Sequence, residues 1–191
     1  DWVLAARNLH WQGEGLDITV DSQMQLYQTG KAPMLNLAAD LKTFDFKTAK
    51  RYWLRHLMNE STIKWLDMAL VKGEVRNASV VLSGDLSHWP FADKTGRFSA
   101  RTVLFADEFK FASDWPTAQN VLLDVDFNGP GFVAEGSTDY LNNSIKLRPS
   151  GIASFSKSDL RIDVNAVSNM QTLLPVLNQT PLKNTVGELV A

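Results

Sequence analysis

Ser83, Asp85 and His88 lie close together in "VVLSGDLSHWPF", residues 80–91. These are the residue types of a hydrolytic relay, in which an acid orients an imidazole that takes a proton from a hydroxyl. The local pattern argues against such a relay. The G-x-S-x-G elbow of a strand-borne nucleophile is missing, and Ser83 alternates out of phase with Val80 and Leu82, so it points off the opposite face. A turn accounts for the same residues. Gly84 lets the strand bend or end, and Asp85 accepts backbone N–H groups. Trp89, Pro90 and Phe91 cover an edge or the open end of a sheet, where Pro90 also discourages further pairing. His88 is then an exposed turn residue.

Other candidate chemistry is equally thin. His10, His56 and His88 fall in a strand, a helix and a turn, without the H-x-x-x-H or H-x-H spacing of a metal site. The expectation is no metal, no cofactor and no catalytic residue. Asp124 and Asp126 share one face of one strand, whereas a glycosidase pair comes from elements facing across a cleft. "GEG" at 13–15 and "GPG" at 129–131 lack the spacing and the following helix of a phosphate cradle. With no cysteine, disulfides, thiol catalysis and Cys-ligated zinc are excluded. A formal net charge of −2 supplies no basic surplus for a nucleic-acid backbone.

The elements that would position any site are mostly strands. Trp2, Leu4 and Ala6 alternate, as do Leu16, Ile18 and Val20, then Leu35, Leu37, Ala39 and Leu41, with Gly13, Gly15, Gly30 and Pro33 between the runs. From about Thr48 the period changes. Ala49, Trp53 and Leu57 form one helix face and Ile63, Leu66 and Leu70 a second. Asn59 and Ser61 are competent N-caps between them, and Gly73 is placed as the helix stop. Strands then resume near 74–86, 97–112, 119–128, 131–141, 143–149 and 158–166. "NGPG" at 128–131 and Asn142–Asn143 read as hairpin turns. Near the end, Ser168 is a possible cap for a helix carrying Met170, Leu173, Leu174 and Leu177, which Pro175 keeps short.

The organisation expected is N-terminal strands over 1–46, a helix pair over 47–72, a curved antiparallel sheet over 73–167 and a short helix and tail over 168–191, as one structural unit. The fold class is mainly β: a strongly curved, taco-like antiparallel sheet with a partly open groove, α+β at the helical insertion. The chain lacks an initiator Met, a signal-like start and any 18-residue apolar run, so it reads as an interior piece of a longer protein. Six tryptophans and ten phenylalanines serve a chain with few helices. The apolar side of the sheet must either close on itself as a sandwich or stay open for a ligand, a partner or more of the parent chain.

Residues 41–91 resemble the AsmA-like proteins, most closely their YhdP subgroup. The matching pattern runs through Trp65, Leu66, Ala69, Leu70, Gly73 and Val75, then Gly84, Asp85, Leu86, Pro90 and Phe91. Trp115-Pro116, then Asp124, Phe127, Gly129 and Gly131, and finally "LLPVLNQTPL" extend the resemblance over most of residues 35–182. Trp65, Leu66, Gly73, Gly84, Asp85, Pro90 and Phe91 are its structural motif. The resemblance carries no catalytic motif.

It implies a periplasmic protein whose parent is anchored in the inner membrane of a Gram-negative bacterium through a segment outside this chain. It also implies that phospholipid moves between inner and outer membranes along an apolar β-groove. Phospholipid or acyl chains and the rest of the parent chain are the expected partners; nucleic acid is not. Each acyl CH₂ removed from water contributes about 0.8 kcal/mol, so an apolar groove holds lipid without specific polar contacts. The groove candidates are Val80, Leu82, Val121, Leu123, Val125, Phe127, Leu160, Ile162 and Val164. Trp65 and Leu66 read as helix-to-sheet packing. Two alternatives stay open: a non-catalytic docking module of the envelope with a closed core, and a sugar-degrading or sugar-binding β-domain using Trp11 or Trp89 as stacking platforms.

Overall fold

The computed structural model describes residues 1–52, 55, 60–154 and 160–186. Among the described residues eleven strands and four α-helices follow one another, with a 3-10 turn at Leu86–His88. Strands β1 (Trp2–Gly13), β2 (Leu16–Leu26), β3 (Met34–Leu41) and β4 (Phe44–Asp45) lead into helices α1 (Phe46–Tyr52) and α2 (Glu60–Ala69). Strands β5 (Leu70–Asp85), β6 (Arg97–Phe109), β7 (Ala118–Asn128), β8 (Gly131–Tyr140) and β9 (Asn143–Ile152) come next. Short strands β10 (Leu160–Arg161) and β11 (Val164–Ala166) precede helices α3 (Met170–Gln179) and α4 (Lys183–Val186).

All the strands belong to one open antiparallel sheet, in the order β1-β2-β3-β5-β6-β7-β8-β9-β10, with β4 beside β5 and β11 beside β9. The expected class, mainly β in a curved, open antiparallel sheet with helices inserted, is the one found. Neighbours in the sheet are neighbours in sequence apart from the helical insertion, with tight two-residue turns joining β1 to β2, β7 to β8 and β8 to β9.

The alternation read from the sequence holds apart from register shifts near Leu70–Gly73 in β5 and Ala134–Gly136 in β8, and three further phase slips. In β1 the pairing shifts between Ala6 and Leu9, in β5 between Arg76 and Ser79, and in β7 between Gln119 and Leu122. An asparagine with positive φ sits at each slip: Asn8 at 48°, Asn77 at 50° and Asn120 at 50°. Asparagine tolerates this left-handed backbone better than most residues. The extra residue bends the strand and adds twist, and it returns the next apolar side chain to the face it would otherwise leave. Val75 and Val80 thus share a face although they are an odd number of residues apart.

Burial is concentrated at one end of that face. Phe46, Leu70, Ala106, Ala118, Val121 and Tyr140 form the buried cluster, with Leu66, Phe109, Phe111 and Trp115 packed against it. The roof is made by α1, α2 and the β6–β7 connection. Trp65 fastens it, since its indole N–H donates to the Phe111 carbonyl at 2.8 Å and its ring meets Phe109 edge-on at 6.2 Å. Trp65 and Leu66 therefore do pack helix against sheet.

Several local expectations are corrected. Gly73 does not stop a helix: α2 ends at Ala69, Leu70 is already strand, and Gly73 lies within β5 with φ 153°. A Cβ there would meet the Phe105 carbonyl oxygen at 2.2 Å and the Phe46 ring at 2.8 Å, so glycine is required by close approach. The second hairpin turn is Leu141–Asn142, because Tyr140 pairs with Asn143 and only the two residues between them have positive φ. The cap of α3 is Asn169 rather than Ser168, with its side chain accepting from the Thr172 N–H at 3.0 Å. Ile162 falls in the break between β10 and β11 and not on a strand. Ser61 lies inside the first turn of α2, while Trp53, His56, Leu57 and Asn59 lie outside the described residues.

Gly73→Ala is expected to cost about 2–4 kcal/mol in urea unfolding, a loss typical of strain at a crowded special backbone position. Gly30→Ala, with φ 73° but nothing within 4 Å of a new Cβ, is expected to cost about 1 kcal/mol from backbone strain alone. Equal losses would overturn the packing role given to Gly73.

Candidate functional site

Directly paired residues of an antiparallel sheet point to the same face, so the register maps the apolar surface row by row. One row runs Leu9, Val20, Ala39, Val80, Ala100, Phe127, Phe132, Ile152 and Leu160 across the whole sheet. A second runs Phe44, Val75, Leu104, Leu123, Gly136, Leu147 and Val164. Between them lie Trp11, Ile18, Leu41 and Ala78, continued by Thr102, Val125, Ala134 and Ser150. Leu82 stands between Leu37 and Phe98 toward the other end of the strands.

Eight of the nine residues expected to line a groove therefore lie on one face: Val80, Leu82, Val121, Leu123, Val125, Phe127, Leu160 and Val164. Ile162 lies between the two edge strands that carry Leu160 and Val164. Their burial differs along and across the sheet. Val121 is only 2% exposed, under the helical roof. Val80, Leu82, Leu123, Val125 and Phe127 are half-buried, while Leu160 and Val164 are exposed at the sheet edge. Toward the opposite edge Leu4 and Leu9 are more than half exposed. A shallow depression of about 360 Å³ opens there, lined in part by Leu4, Ala6, Met24, Leu35 and Leu37.

The other face is polar. Arg101 donates to Asp126 at 2.8 Å, Lys72 pairs with Asp107 at 3.1 Å, and Arg76 pairs with Glu74 while lying 4.7 Å above the Phe105 ring. Asp124 and Asp126 belong to this solvated ladder. Among the described residues no group of three or more His, Cys, Asp or Glu side chains is placed to hold a metal ion.

At the strand ends opposite the helical roof, "VVLSGDLSHWPF" forms a strand tied to its turn. The Asp85 carboxylate accepts from the Ser87 N–H at 2.9 Å and from its hydroxyl at 2.7 Å, which keeps Asp85 below the usual carboxylate range. The Ser83 hydroxyl donates to the Asn36 side-chain oxygen at 2.6 Å, on the polar face. His88 pairs instead with Asp93 at 2.5 Å. Phe91 is 3% exposed and lies over Gly84 and Gly96, where a Cβ would come within 2.7 Å and 2.4 Å of its ring. Trp89 meets Phe91 and Phe98 edge-on at 5.9 and 4.8 Å. The cluster covers the end of β5 and β6 rather than a sheet edge. Asp93 escaped the sequence reading, although D-x-T over 93–95 is a recognisable turn signal.

Hydrogen bonds from Thr95 and His88 hold the Asp93 carboxyl down to about 2, and Asp93 in turn raises the His88 imidazole. Because the folded His88 pKa is raised, its contribution to stability is complete below its ordinary value near 6.5 and is lost as pH rises through the folded value. Asp93→Asn is expected to return the His88 midpoint to the ordinary range in an NMR titration. An unchanged midpoint would refute the pairing.

Three comparisons with known proteins bear on this surface. The YhdP protein family model matches residues 1–191. The intermembrane phospholipid transporter YhdP of Escherichia coli (strain K12) is 30% identical over 196 residues, covering 97% of this chain and 15% of that protein. The chain thus spans less than a sixth of that relative's length. No solved structure matches. With the family model covering every residue, this chain belongs to the YhdP family.

Proposed function

We propose that this chain is one segment of a phospholipid conduit, with acyl chains lying along the apolar face. The parent protein carries phospholipid between the inner and outer membranes. It works in the periplasm and is held in the inner membrane by a segment outside this chain. The similarity to an intermembrane phospholipid transporter of Escherichia coli supports the lipid class. Among the described residues no helix is long and apolar enough to cross a membrane.

The observation that carries the reading is the unroofed apolar face that continues across the sheet. Nine strands spaced about 4.8 Å apart make a face roughly 40 Å long. The hydrocarbon of one leaflet is about 15 Å deep, half a bilayer core, so the face exceeds the reach of one lipid's tails. Val80, Leu82, Leu123, Val125 and Phe127 form the floor, Leu160 and Val164 continue it at one edge, and Val121 marks its inner limit under the helices. Small residues in the middle lane, among them Ala78, Ala134 and Ser150, leave depth between the larger rows.

Weak, repeated apolar contact suits transport, because lipid held too tightly at one point does not move on. No polar anchor is needed along the floor. The alternative of a closed-core docking module is disfavoured by the burial pattern: among the described residues no large side chain is less than 2% exposed.

The test is lipid co-purification read by native mass spectrometry and solvent extraction. Val125→Asp and Phe127→Glu are expected to reduce bound phospholipid at least roughly tenfold, since each places a charge in a surface meant for hydrocarbon. Asp124→Asn and Asp126→Asn, on the opposite face, are expected to leave it unchanged. Equal retention in all four folded variants, checked by circular dichroism, would defeat the assignment of the floor.

A further inference from the structure

The two rims of the sheet differ in how their cations are used. At the helical rim, Lys42 pairs with Asp17 at 2.9 Å, Arg51 with Glu14 at 3.1 Å, Arg55 with Asp67 at 3.5 Å and Lys64 with Glu60 at 2.7 Å. The apolar face beneath this rim is filled by Phe46, Leu70, Ala106, Val121 and Tyr140. The opposite rim carries Lys31 and Lys94; among the described residues no carboxylate lies within ion-pair distance of either, and Lys31 acts on Asp85 only through its more distant charge. The acids of this rim are committed elsewhere: Asp85 to Ser87, and Asp93 to Thr95 and His88. Asp1 accepts from the Gln28 N–H at 3.2 Å.

These groups converge on one place. The Leu86 N–H donates to the Pro33 carbonyl at 3.1 Å, which brings the loop bearing Lys31 against the turn bearing His88. The Lys94 N–H donates to the Phe91 carbonyl at 3.0 Å, which ties Lys94 to the same turn. Trp89 belongs to the same turn, half-buried, its ring 4.8 Å from Phe98 on the apolar face. Its indole N–H has no acceptor among the described residues. An aromatic ring with an apolar body on hydrocarbon and a free donor at the water side suits the boundary between tail and head group.

We infer that this rim, built by Lys31, Lys94 and Trp89, receives the phosphate of the lipid head group, so that bound lipid is oriented across the sheet with tails toward the helical roof. The inference rests on the conduit reading and adds an orientation to it. A phosphodiester is a compact acceptor, which ammonium groups bind as point charges and an indole N–H binds as a single donor. The helical rim also has cations without a carboxylate partner, Lys47 and Lys183, but the apolar face beneath it is filled, so they do not stand beside open hydrocarbon.

The test compares Lys31→Glu/Lys94→Glu with a control pair of the same charge change, Lys47→Glu/Lys183→Glu, whose cations lie on the helical rim without a carboxylate partner. Full chains are incubated with vesicles of phosphatidylglycerol, and separately with diacylglycerol, which has the tails but no phosphate. Bound lipid is read by native mass spectrometry after circular dichroism confirms folding. The expected result is about a tenfold loss of phosphatidylglycerol in the first variant only, with diacylglycerol retained by both. Equal phosphatidylglycerol retention in the two variants overturns the rim assignment while leaving the conduit intact. Failure of the unmodified chain to hold either lipid overturns the conduit reading and this inference with it. Inorganic phosphate is the third probe: saturable binding to the unmodified chain that is lost in the first variant, without any loss of phosphatidylglycerol, assigns the cations to a free anion and overturns the lipid assignment.

Discussion

An antiparallel sheet with one apolar face must bury that face or leave its hydrophobic free energy unrealised, and this chain has too little helix to bury it. A buried leucine or phenylalanine contributes about 1.5–3 kcal/mol relative to an exposed one, and half-burial forfeits a large part of that. The helices and the β6–β7 connection roof only the end near Ala106 and Val121. Stability must come from that local core together with the long hydrogen-bonded ladders, most of them between strands adjacent in sequence. The same shortage leaves the remaining face uncovered, so what weakens the domain as a globule is what the proposed lipid surface requires.

Backbone geometry sustains that face over many strands. The asparagine bulges at Asn8, Asn77 and Asn120 bend individual strands without moving apolar side chains to the polar side. Gly73 and Gly136 allow neighbouring backbone to come closer than any Cβ would permit. The polar face contributes through short cross-strand ion pairs such as Arg101 with Asp126. Such exposed pairs add little energy. Their alternation with the apolar rows is what fixes the register, since a slip of one residue would bring charge onto the apolar side.

Much of this was legible from alternation alone. Val121, Leu123, Val125 and Phe127 read as one face, and the register places them there. Gly84 and the Trp89–Phe91 tail read as a strand bound to its turn, and the packing of Phe91 on Gly84 and Gly96 supplies the reason. The misreadings arose where two patterns share residues. Leu70 continues the helical spacing of Ile63 and Leu66 and also begins a buried strand, so the spacing alone carries the helix on to Gly73. Both Asn142 and Asn143 suit a turn, and only the pairing of Tyr140 with Asn143 selects Leu141–Asn142. Ile162 fits the alternation of Leu160 and Val164, but the backbone leaves the ladder there. The phase slips were visible as odd spacings beside asparagine, a signal that becomes meaningful once a continuous apolar face is required. The rim cations carry no sequence pattern, because their nearness depends on loops brought together by the sheet.

The bulges have an evolutionary consequence. Deleting Asn77 would place Val75 and Ala78 in ordinary alternation, so the two halves of β5 would keep their sidedness and lose only a bend. Local curl is then set by chain length at a few positions, separately from the chemistry of the lining. Descendants of such a sheet can become straighter or tighter one codon at a time while the choice of hydrocarbon-facing side chains stays inherited.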